Sequence, residues 1–202
     1  MGKWKQLRAI ILLPATVTII IPTIIIVITR EIQLGWFFLS FPLSVIPIVA
    51  GCTLIGGGLL LLAKTIQLFA KIGKGTLAPW DPPKNLVVSG IYRHTRNPMI
   101  FGVSIILLGQ AVVFGSIFLF LWFTLFLIVN HVYIIKSEEP ALTQRFKQEY
   151  LLYIKNVPRW VPRLKPWTGL TSENSKKGKM NKLEKSGRTR KKLHKRTFHS
   201  VK

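Results

Sequence analysis

Two short segments, far apart along the chain, hold ionisable side chains that could carry out chemistry. The first is a loop rich in proline and glycine, Gly75 to Pro98, in which Arg93 and Arg96 come just before an Asn-Pro pair. Such a pair is typical of a helix start, with Asn97 as the N-cap and Pro98 as the first helical residue. The first turn of a helix carries free N–H groups, so this end could bind an anion together with the arginines.

The second segment carries two adjacent carboxylates, Glu138 and Glu139, which follow a long apolar run. Acidic side chains are unfavourable at the C-terminal end of a helix, where the helix dipole is already negative, so this placement indicates a partner. The carboxylates could hold a cationic ligand or pair with Arg93 and Arg96, and both arrangements could occur together.

Four apolar runs must position these two segments. They extend over Ala9–Ile28, about Trp36–Ala63, Met99–Phe114 and Ile117–Ile135. The first run is long enough to cross a hydrocarbon layer of about 30 Å. Gly115-Ser116, between the last two runs, predicts a tight helical hairpin. The sequence therefore predicts an all-α integral membrane protein with about four transmembrane helices.

The second apolar run has an unusual share of prolines and glycines. It contains Pro42, Pro47 and the triplet Gly56-Gly57-Gly58. Proline bends a helix, and glycine allows a neighbouring backbone to come close. We therefore expect either a bent helix or one with a closely packed neighbour.

The short loops between the runs differ in charge. Lysines and arginines are concentrated before the first run and in the loop from Lys64 to Arg96, whereas the opposite side receives only Arg30 with Glu31 and the uncharged hairpin turn. Cytoplasmic loops carry the excess of Lys and Arg. Both termini, and both segments of ionisable side chains, are therefore expected on the cytoplasmic side of a multi-pass protein, in either a bacterial plasma membrane or the endoplasmic reticulum.

Beyond the last run, the segment Leu142 to Tyr153 has helical spacing. Its aromatic residues Phe146, Tyr150 and Tyr153 fall on one side. A proline-rich stretch that contains Arg159, Val157 to Pro162, follows it. This pattern predicts a helix at the membrane interface and, after it, a rigid clamp.

The chain of 202 residues is at once 49% hydrophobic and strongly basic, with a net charge of +22. The two properties are separated: residues 1–35 and 36–170 hold the apolar runs, and Thr171 to Lys202 hold 12 Lys or Arg against two Glu. This tail is expected to be disordered and to attract anionic lipid headgroups, by about 1 kcal/mol for each basic residue near the surface. Nucleic acid is a weaker alternative partner, because no base-reading motif accompanies the charge.

Metal and disulfide chemistry are not expected. Cys52 is the only cysteine, which excludes a disulfide framework within the chain and a cysteine-cluster metal site. His94 and His131 each stand without other ligands at metal-binding spacing, so hydrogen-bonded structural roles are expected for both.

Three blocks of sequence carry a family resemblance. They read DPPKNLVVSGIYRHTRNPMIFG over 81–102, EEP over 138–140 and FKQEYLLYIKNVPRWVPRLKPW over 146–167. Their order and spacing, within about residues 40–167, resemble the isoprenylcysteine carboxyl methyltransferases and their bacterial relatives, and more distantly the phospholipid N-methyltransferases. The family's central motif, Arg-His-Pro-x-Tyr-x-Gly, matches here at Arg96, Pro98 and Gly102, whereas Asn97 replaces the histidine and Ile100 replaces the tyrosine.

The resemblance implies an S-adenosylmethionine-dependent methyltransferase with a cytoplasmic cofactor pocket. The implied cofactor-binding residues are Tyr92, Arg96, Asn97, Pro98, Met99, Gly102, Glu138 and Glu139. The implied catalytic residues are Arg93, Arg96 and Glu139, and Arg159 is the implied substrate-binding residue. A carboxylate and an ammonium group, both present in this cofactor, would suit an arginine or helix N-terminus and a glutamate respectively.

The methyl acceptor would be a lipophilic or prenylated molecule that arrives from the bilayer. The first candidate is the carboxylate of an isoprenylcysteine-like molecule, which needs no general base. The alternative is the amine of a phospholipid, which must lose a proton, for which Glu139 or His94 is a candidate base. An alternative hypothesis, of a different functional class, is a non-catalytic membrane anchor or scaffold whose basic tail recruits lipid.

Overall fold

The computed structural model of the chain describes residues 14–29, 36, 40–72 and 85–169. Regular structure in these ranges is helical throughout, which confirms the predicted all-α class. The α-helices are α1 (Ile21–Thr29), α2 (Val45–Ile72), α3 (Pro98–Phe114), α4 (Ile117–Tyr133) and α5 (Glu139–Asn156). The start of the first apolar run, the loop 73–84 and the basic tail 171–202 lie outside the described residues, and so do the predictions made for them.

Short turns connect to these helices. Two π-helical turns, Thr16–Ile20 and Ile134–Glu138, lead into α1 and α5, and a 3-10 turn, Gly90–Arg93, precedes α3. The chain divides into two compact units, Met1–Lys165 and Pro166–Lys202. Every element named here belongs to the first unit.

Two helical stretches of the described chain are long and apolar enough to cross a membrane. They are Val45–Leu68 and Ile117–Asn156, with mean hydropathies of 2.3 and 2.1, and only 11% of the most apolar part of each is buried inside the protein. Large apolar side chains therefore face outward, among them Ile46, Leu60, Leu121 and Ile128. Thr16–Thr29 and Pro98–Phe114 are shorter apolar helices. The count of four crossings stays a prediction.

Two pairs of glycines set the distance between α2 and α3, which pack antiparallel. Gly51 lies against Gly109, and Gly58 lies against Gly102. A Cβ atom at Gly109 would lie 2.8 Å from the Gly51 carbonyl oxygen, so no larger residue fits without moving a helix backbone. Of the two expectations for this run, the closely packed neighbour is thus found, at Gly58. Helix α2 is continuous from Val45 to Ile72. Gly57 has open space around it.

The predicted helical hairpin is present between α3 and α4. Gly115 ends α3 in the left-handed conformation, with φ 58°, which glycine adopts without strain. Ser116 caps α4, because its hydroxyl accepts a hydrogen bond from the Leu119 N–H. The hairpin returns the chain, so the start of α3 and the end of α4 lie at the same end of the bundle.

The first helical segment is tied to this hairpin at a proline. Pro22 has no N–H, which removes the usual helical donor for the Thr18 carbonyl. The Gln110 Nε2 group of α3 donates to that carbonyl at 2.7 Å, and the Trp122 Nε1 group of α4 donates to the neighbouring Val17 carbonyl at 3.3 Å. Side chains of neighbouring helices thus satisfy the carbonyls around this proline, as expected in an apolar surrounding.

Helix α5 covers the segment predicted to be helical after the last apolar run. It contains one non-helical residue, Lys147, with φ 45° and ψ −122°, so its two halves meet at a kink. Tyr150 and Tyr153 of the second half are buried, and Phe146 is half-buried. The predicted aromatic side therefore faces the protein. Its position at a membrane interface stays a prediction.

Candidate functional site

The end of the bundle opposite the hairpin turn brings Arg96 and Glu139 together. Arg96 comes two residues before α3, and Glu139 is the first residue of α5. The Arg96 Nη1 atom donates to Glu139 Oε1 at 2.7 Å. The two segments of ionisable side chains therefore meet, as expected from the topology.

Arg159 completes the group of charges. Its Nε donates to Glu139 Oε1 at 2.8 Å and its Nη2 donates to Glu139 Oε2 at 2.9 Å, a two-point contact that fits a guanidinium to a carboxylate. We call Arg96, Glu139 and Arg159 the charged cluster. Their side chains are 9%, 15% and 24% exposed. The hydrogen bonds to Glu139 raise the pKa of Arg159, so its guanidinium stays protonated.

Main-chain contacts hold the two arginines of the cluster in place. The Arg96 N–H donates to the Pro158 carbonyl at 3.0 Å, and the Arg163 N–H donates to the His94 carbonyl at 2.9 Å. The hydroxyl of Thr95, which is 1% exposed, donates to the Arg159 carbonyl at 3.0 Å. The proline-rich stretch thus clamps the loop before α3, in agreement with the clamp predicted from the sequence.

The two histidines make structural hydrogen bonds. The Nδ1 of His94 lies 2.6 Å from the Arg163 carbonyl oxygen, so this nitrogen must carry the proton and donate. The Trp160 Nε1 donates to His131 Nδ1 at 3.1 Å, and the two rings are stacked. Each histidine therefore links the clamp to another part of the bundle.

Tyr92 is buried beside the cluster. It packs with Val87 and with the partly buried Leu68 and Ile72 of α2. The Tyr153 hydroxyl donates to the Tyr92 carbonyl at 2.6 Å. Burial raises the pKa of the Tyr92 phenol, and the nearby charge of Glu138 raises it further. The side chain is therefore neutral at physiological pH.

Glu138 differs from its neighbour in its pairing. Both salt bridges in the described part of the chain use Glu139, so Glu138 pairs with none of the described cations. Its side chain is half-buried. Arg96, which pairs with Glu139, also lies within electrostatic range of Glu138. A half-buried carboxylate that forms no salt bridge of its own is suited to receive a cationic group of a ligand.

The start of α3 offers hydrogen-bond donors next to the cluster. Asn97 and Pro98 occupy the N-cap and first helical positions, as predicted, but the Asn97 side chain does not cap the helix. The first main-chain N–H groups after Pro98 have no helical partner. The Arg96 Nε is buried and has no hydrogen-bond partner among the described residues. These N–H groups and the Arg96 Nε are hydrogen-bond donors, which are suited to bind the carboxylate of a ligand.

The remaining predicted site residues lie near the start of α3. Arg93 ends the 3-10 turn, and Arg96 and Arg159 donate hydrogen bonds to Glu139. Met99 is half-buried in the first turn of α3. Pro98 is fully buried, and Gly102 lies against Gly58 of α2. Direct contact of these four residues with a ligand stays a prediction.

The site residues predicted from the sequence do not include Tyr150, Tyr153 or Thr95. Tyr150 is 3% exposed and lies within electrostatic range of Arg96. The aromatic spacing indicated a packed side of α5, but it did not show which groups that side would meet.

Comparison with known proteins gives one match. The family model of phospholipid methyltransferases matches residues 46–149, just over half of the chain. The matched part runs from the first turn of α2 into α5 and includes Arg96, Glu138 and Glu139, whereas α1 and Arg159 lie outside it. No curated protein and no solved structure matches.

Proposed function

Because the chain belongs to the phospholipid methyltransferase family, we propose that it transfers the methyl group of S-adenosylmethionine to a lipophilic acceptor beside the charged cluster. Membership of the family makes the chain a membrane methyltransferase, in keeping with its outward-facing apolar helices. One observation carries the proposal. The helical N–H groups and the guanidinium groups of Arg96 and Arg159 meet at one end of α3, and Glu138 lies within electrostatic range of Arg96.

The chemistry of these groups fits the cofactor. Its carboxylate suits the free N–H groups at the start of α3 and the buried Nε of Arg96, which has no partner among the described residues. Its ammonium group suits Glu138. When bound, the cofactor supplies a methyl group on a positively charged sulfur. The residues of the chain position the two reactants and exclude water, and no covalent bond to the protein is required.

The acceptor that we propose first is the carboxylate of an isoprenylcysteine-like molecule. Both oxygens of Glu139 already accept hydrogen bonds from guanidinium groups, which favours a positioning role for Glu139 over that of a general base. His94 donates through Nδ1, so Nε2 is its one ring nitrogen that can take up a proton. A carboxylate acceptor is already ionised and needs no base. Arg159, the most exposed member of the cluster, would orient it.

The second candidate acceptor is the amine of a phospholipid. The description of the matching family favours it. An amine must lose a proton before or during transfer, and Glu138 is the carboxylate of the site that forms no salt bridge with a described arginine or lysine. If Glu138 serves as base, it is less free to hold the ammonium group of the cofactor.

Product chemistry separates the two candidates. Membranes that contain the chain are incubated with methyl-labelled cofactor and either an N-acylated S-prenylcysteine or phosphatidylethanolamine. A methyl ester releases its label in mild base, whereas a methylated amine does not. We expect base-labile label from the prenylcysteine, and its loss in Arg159→Ala but not in Arg145→Ala, a change of an exposed arginine on α5.

If phosphatidylethanolamine instead carries the label and the label is stable in base, the acceptor is an amine and the carboxylate proposal is wrong. The absence of transfer to either lipid, in a preparation that is folded and binds the cofactor, would contradict both acceptors. A folded preparation that binds no cofactor would instead favour the hypothesis of a non-catalytic anchor or scaffold.

A further inference from the structure

A cavity of about 230 Å³ lies between the first helical segment and α3. Its lining is uncharged and consists of Thr18, Ile19, Pro22, Thr23, Ile26, Gln110 and Phe114. Gln110 is twelve residues beyond Pro98, which corresponds to about 18 Å along the helix axis. The cavity is therefore separate from the charged cluster, and the first helical segment that forms one wall lies outside the matched family region.

The cavity opens to the outside of the bundle. Ile19 on its wall is 61% exposed, and the Thr23 hydroxyl is also on the exposed side. Ile24, Val27 and Ile28 of α1 are exposed as well, so the surroundings of this opening are expected to be lipid. A molecule that enters here would come sideways from the bilayer.

The two threonines of the lining offer hydrogen-bond acceptors to the cavity but no free donors. The Thr18 hydroxyl donates to the Pro14 carbonyl and the Thr23 hydroxyl donates to the Ile19 carbonyl, both at 2.7 Å. Each threonine has thereby used its only hydrogen. The oxygens that remain are acceptors, which favours a ligand that can donate.

Gln110 contributes the acceptor that is least well satisfied. Its Nε2 is fixed on the Thr18 carbonyl, which can only accept, so the amide orientation is determined. Its Oε1 is buried and accepts no hydrogen bond from the described part of the chain. The terminal torsion of glutamine is broad, so a small rotation of the amide plane, which moves both atoms together, can present Oε1 to a donor in the cavity within the range of the Nε2 bond. A buried amide oxygen without a donor is costly, which gives a donor a clear energetic benefit.

We propose that this cavity binds the hydroxyl end of a neutral lipid, such as a long-chain alcohol, with the hydroxyl donating to Gln110 Oε1. The uncharged lining disfavours carboxylate and phosphate groups, which offer no donor and would lose their hydration without a counter-charge. The apolar walls Ile19, Pro22 and Phe114 suit the first part of an alkyl chain. The volume is several times the share of a single water molecule in the liquid, about 30 Å³.

The experiment uses the full-length chain in vesicles of phosphatidylcholine. The probe is hexadecanol with a diazirine near the hydroxyl and a terminal alkyne, and the comparison probe is its methyl ether, which has the same chain but no donor. After irradiation, labelled peptides are identified by mass spectrometry. We expect the alcohol to label the segment around Thr18 to Ile26 about three- to tenfold more than the ether does, the ratio that one net hydrogen bond gives. Equal labelling by the two probes, or no label on this segment, would overturn the proposal.

Variants separate the acceptor from the stability of the helix contact. Gln110→Met removes Oε1 but also the bond to the Thr18 carbonyl, and Trp122→Phe is the matched control because it removes the equivalent bond to Val17 outside the cavity lining. The preference for the alcohol is expected to disappear in Gln110→Met and to persist in Trp122→Phe. Ile26→Phe, which fills the cavity and keeps the Gln110 bond, is expected to remove labelling by both probes. An unchanged preference in Gln110→Met, or its loss in Trp122→Phe, would contradict the assigned acceptor.

Discussion

The Arg96 guanidinium and the Glu139 carboxylate lie 2.7 Å apart, although 43 residues separate them in the sequence. The α3–α4 hairpin brings them together, because it returns the chain to the end of the bundle where α3 begins. Arg159 contacts the same carboxylate from the clamp. One acidic side chain thus joins three separate parts of the chain.

Glu139→Gln is expected to lower the free energy of unfolding by about 3 kcal/mol, because the buried guanidinium of Arg96 and the partly exposed guanidinium of Arg159 lose the negative charge that they share. Unfolding in detergent, followed by tryptophan fluorescence, measures the change. Glu149→Gln, on the exposed side of α5, is the control and should leave stability unchanged. Equal stability of the two variants would show that the cluster does not stabilise the fold.

Gly109→Ala is expected to destabilise the protein by about 1–3 kcal/mol, because the added Cβ would lie 2.8 Å from the Gly51 carbonyl oxygen and 3.0 Å from the Ile55 nitrogen. Gly57→Ala makes the same chemical change on α2 where nothing lies within 4 Å. It should therefore be neutral or slightly stabilising, since alanine is the better helix former. The same thermal midpoint in both variants would contradict the close packing of α2 and α3.

The stability of the fold should fall as the pH rises above about 10, in part because of Tyr92. Its pKa is raised in the folded state by burial and by Glu138, whereas the unfolded chain ionises with the ordinary value near 10. Above that pH the unfolded state releases a proton that the folded state keeps, which favours unfolding. Unfolding measured between pH 9 and about 11 should show a shallower decline in Tyr92→Phe than in Tyr133→Phe, an exposed control. Identical slopes in the two variants would contradict a buried, neutral Tyr92.

Tyr153→Phe removes one hydroxyl, which donates to the Tyr92 carbonyl, and leaves the ring that packs in the interior. We expect a loss of about 1–2 kcal/mol in the free energy of unfolding, since the carbonyl is left buried without this donor. We also expect weaker cofactor binding, because Tyr92 precedes Arg96 in the clamped loop. Phenylalanine at Tyr133 again serves as control, and a Tyr153→Phe protein that binds and unfolds like it would rule out this role.

Much of the helical framework follows from the sequence because its signals are local. A left-handed glycine with a serine cap after it, Gly115-Ser116, is a local hairpin signal, and the structure contains that hairpin. The extent of α2 is less local. The apolar run ends at about Ala63, before Lys64, yet the helix continues to Ile72, whose side chain packs with Tyr92 in a cluster that apolar content alone does not predict.

The candidate site was predictable where topology alone decides proximity, as for Arg96 and Glu139. Sequence could not show that Arg159 would bind Glu139 through two hydrogen bonds, or that Thr95 would hold the Arg159 carbonyl. These contacts depend on the path by which the clamp returns to the loop before α3, since Thr95 and Arg159 are 64 residues apart in the sequence. Gln110 is a similar case, because the need for its amide arises from a proline on a different helix.

The most direct test of the cofactor pocket is calorimetry with S-adenosylmethionine on the detergent-purified chain. Glu138→Gln is the informative variant, because Glu138 forms no salt bridge with a described residue and its change should leave the fold intact. We expect one molecule of cofactor to bind to the unmodified chain, and the affinity to fall by about tenfold or more in Glu138→Gln but not in Glu149→Gln. No heat of binding to a folded preparation, or equal affinities in the two variants, would contradict the assignment of this pocket.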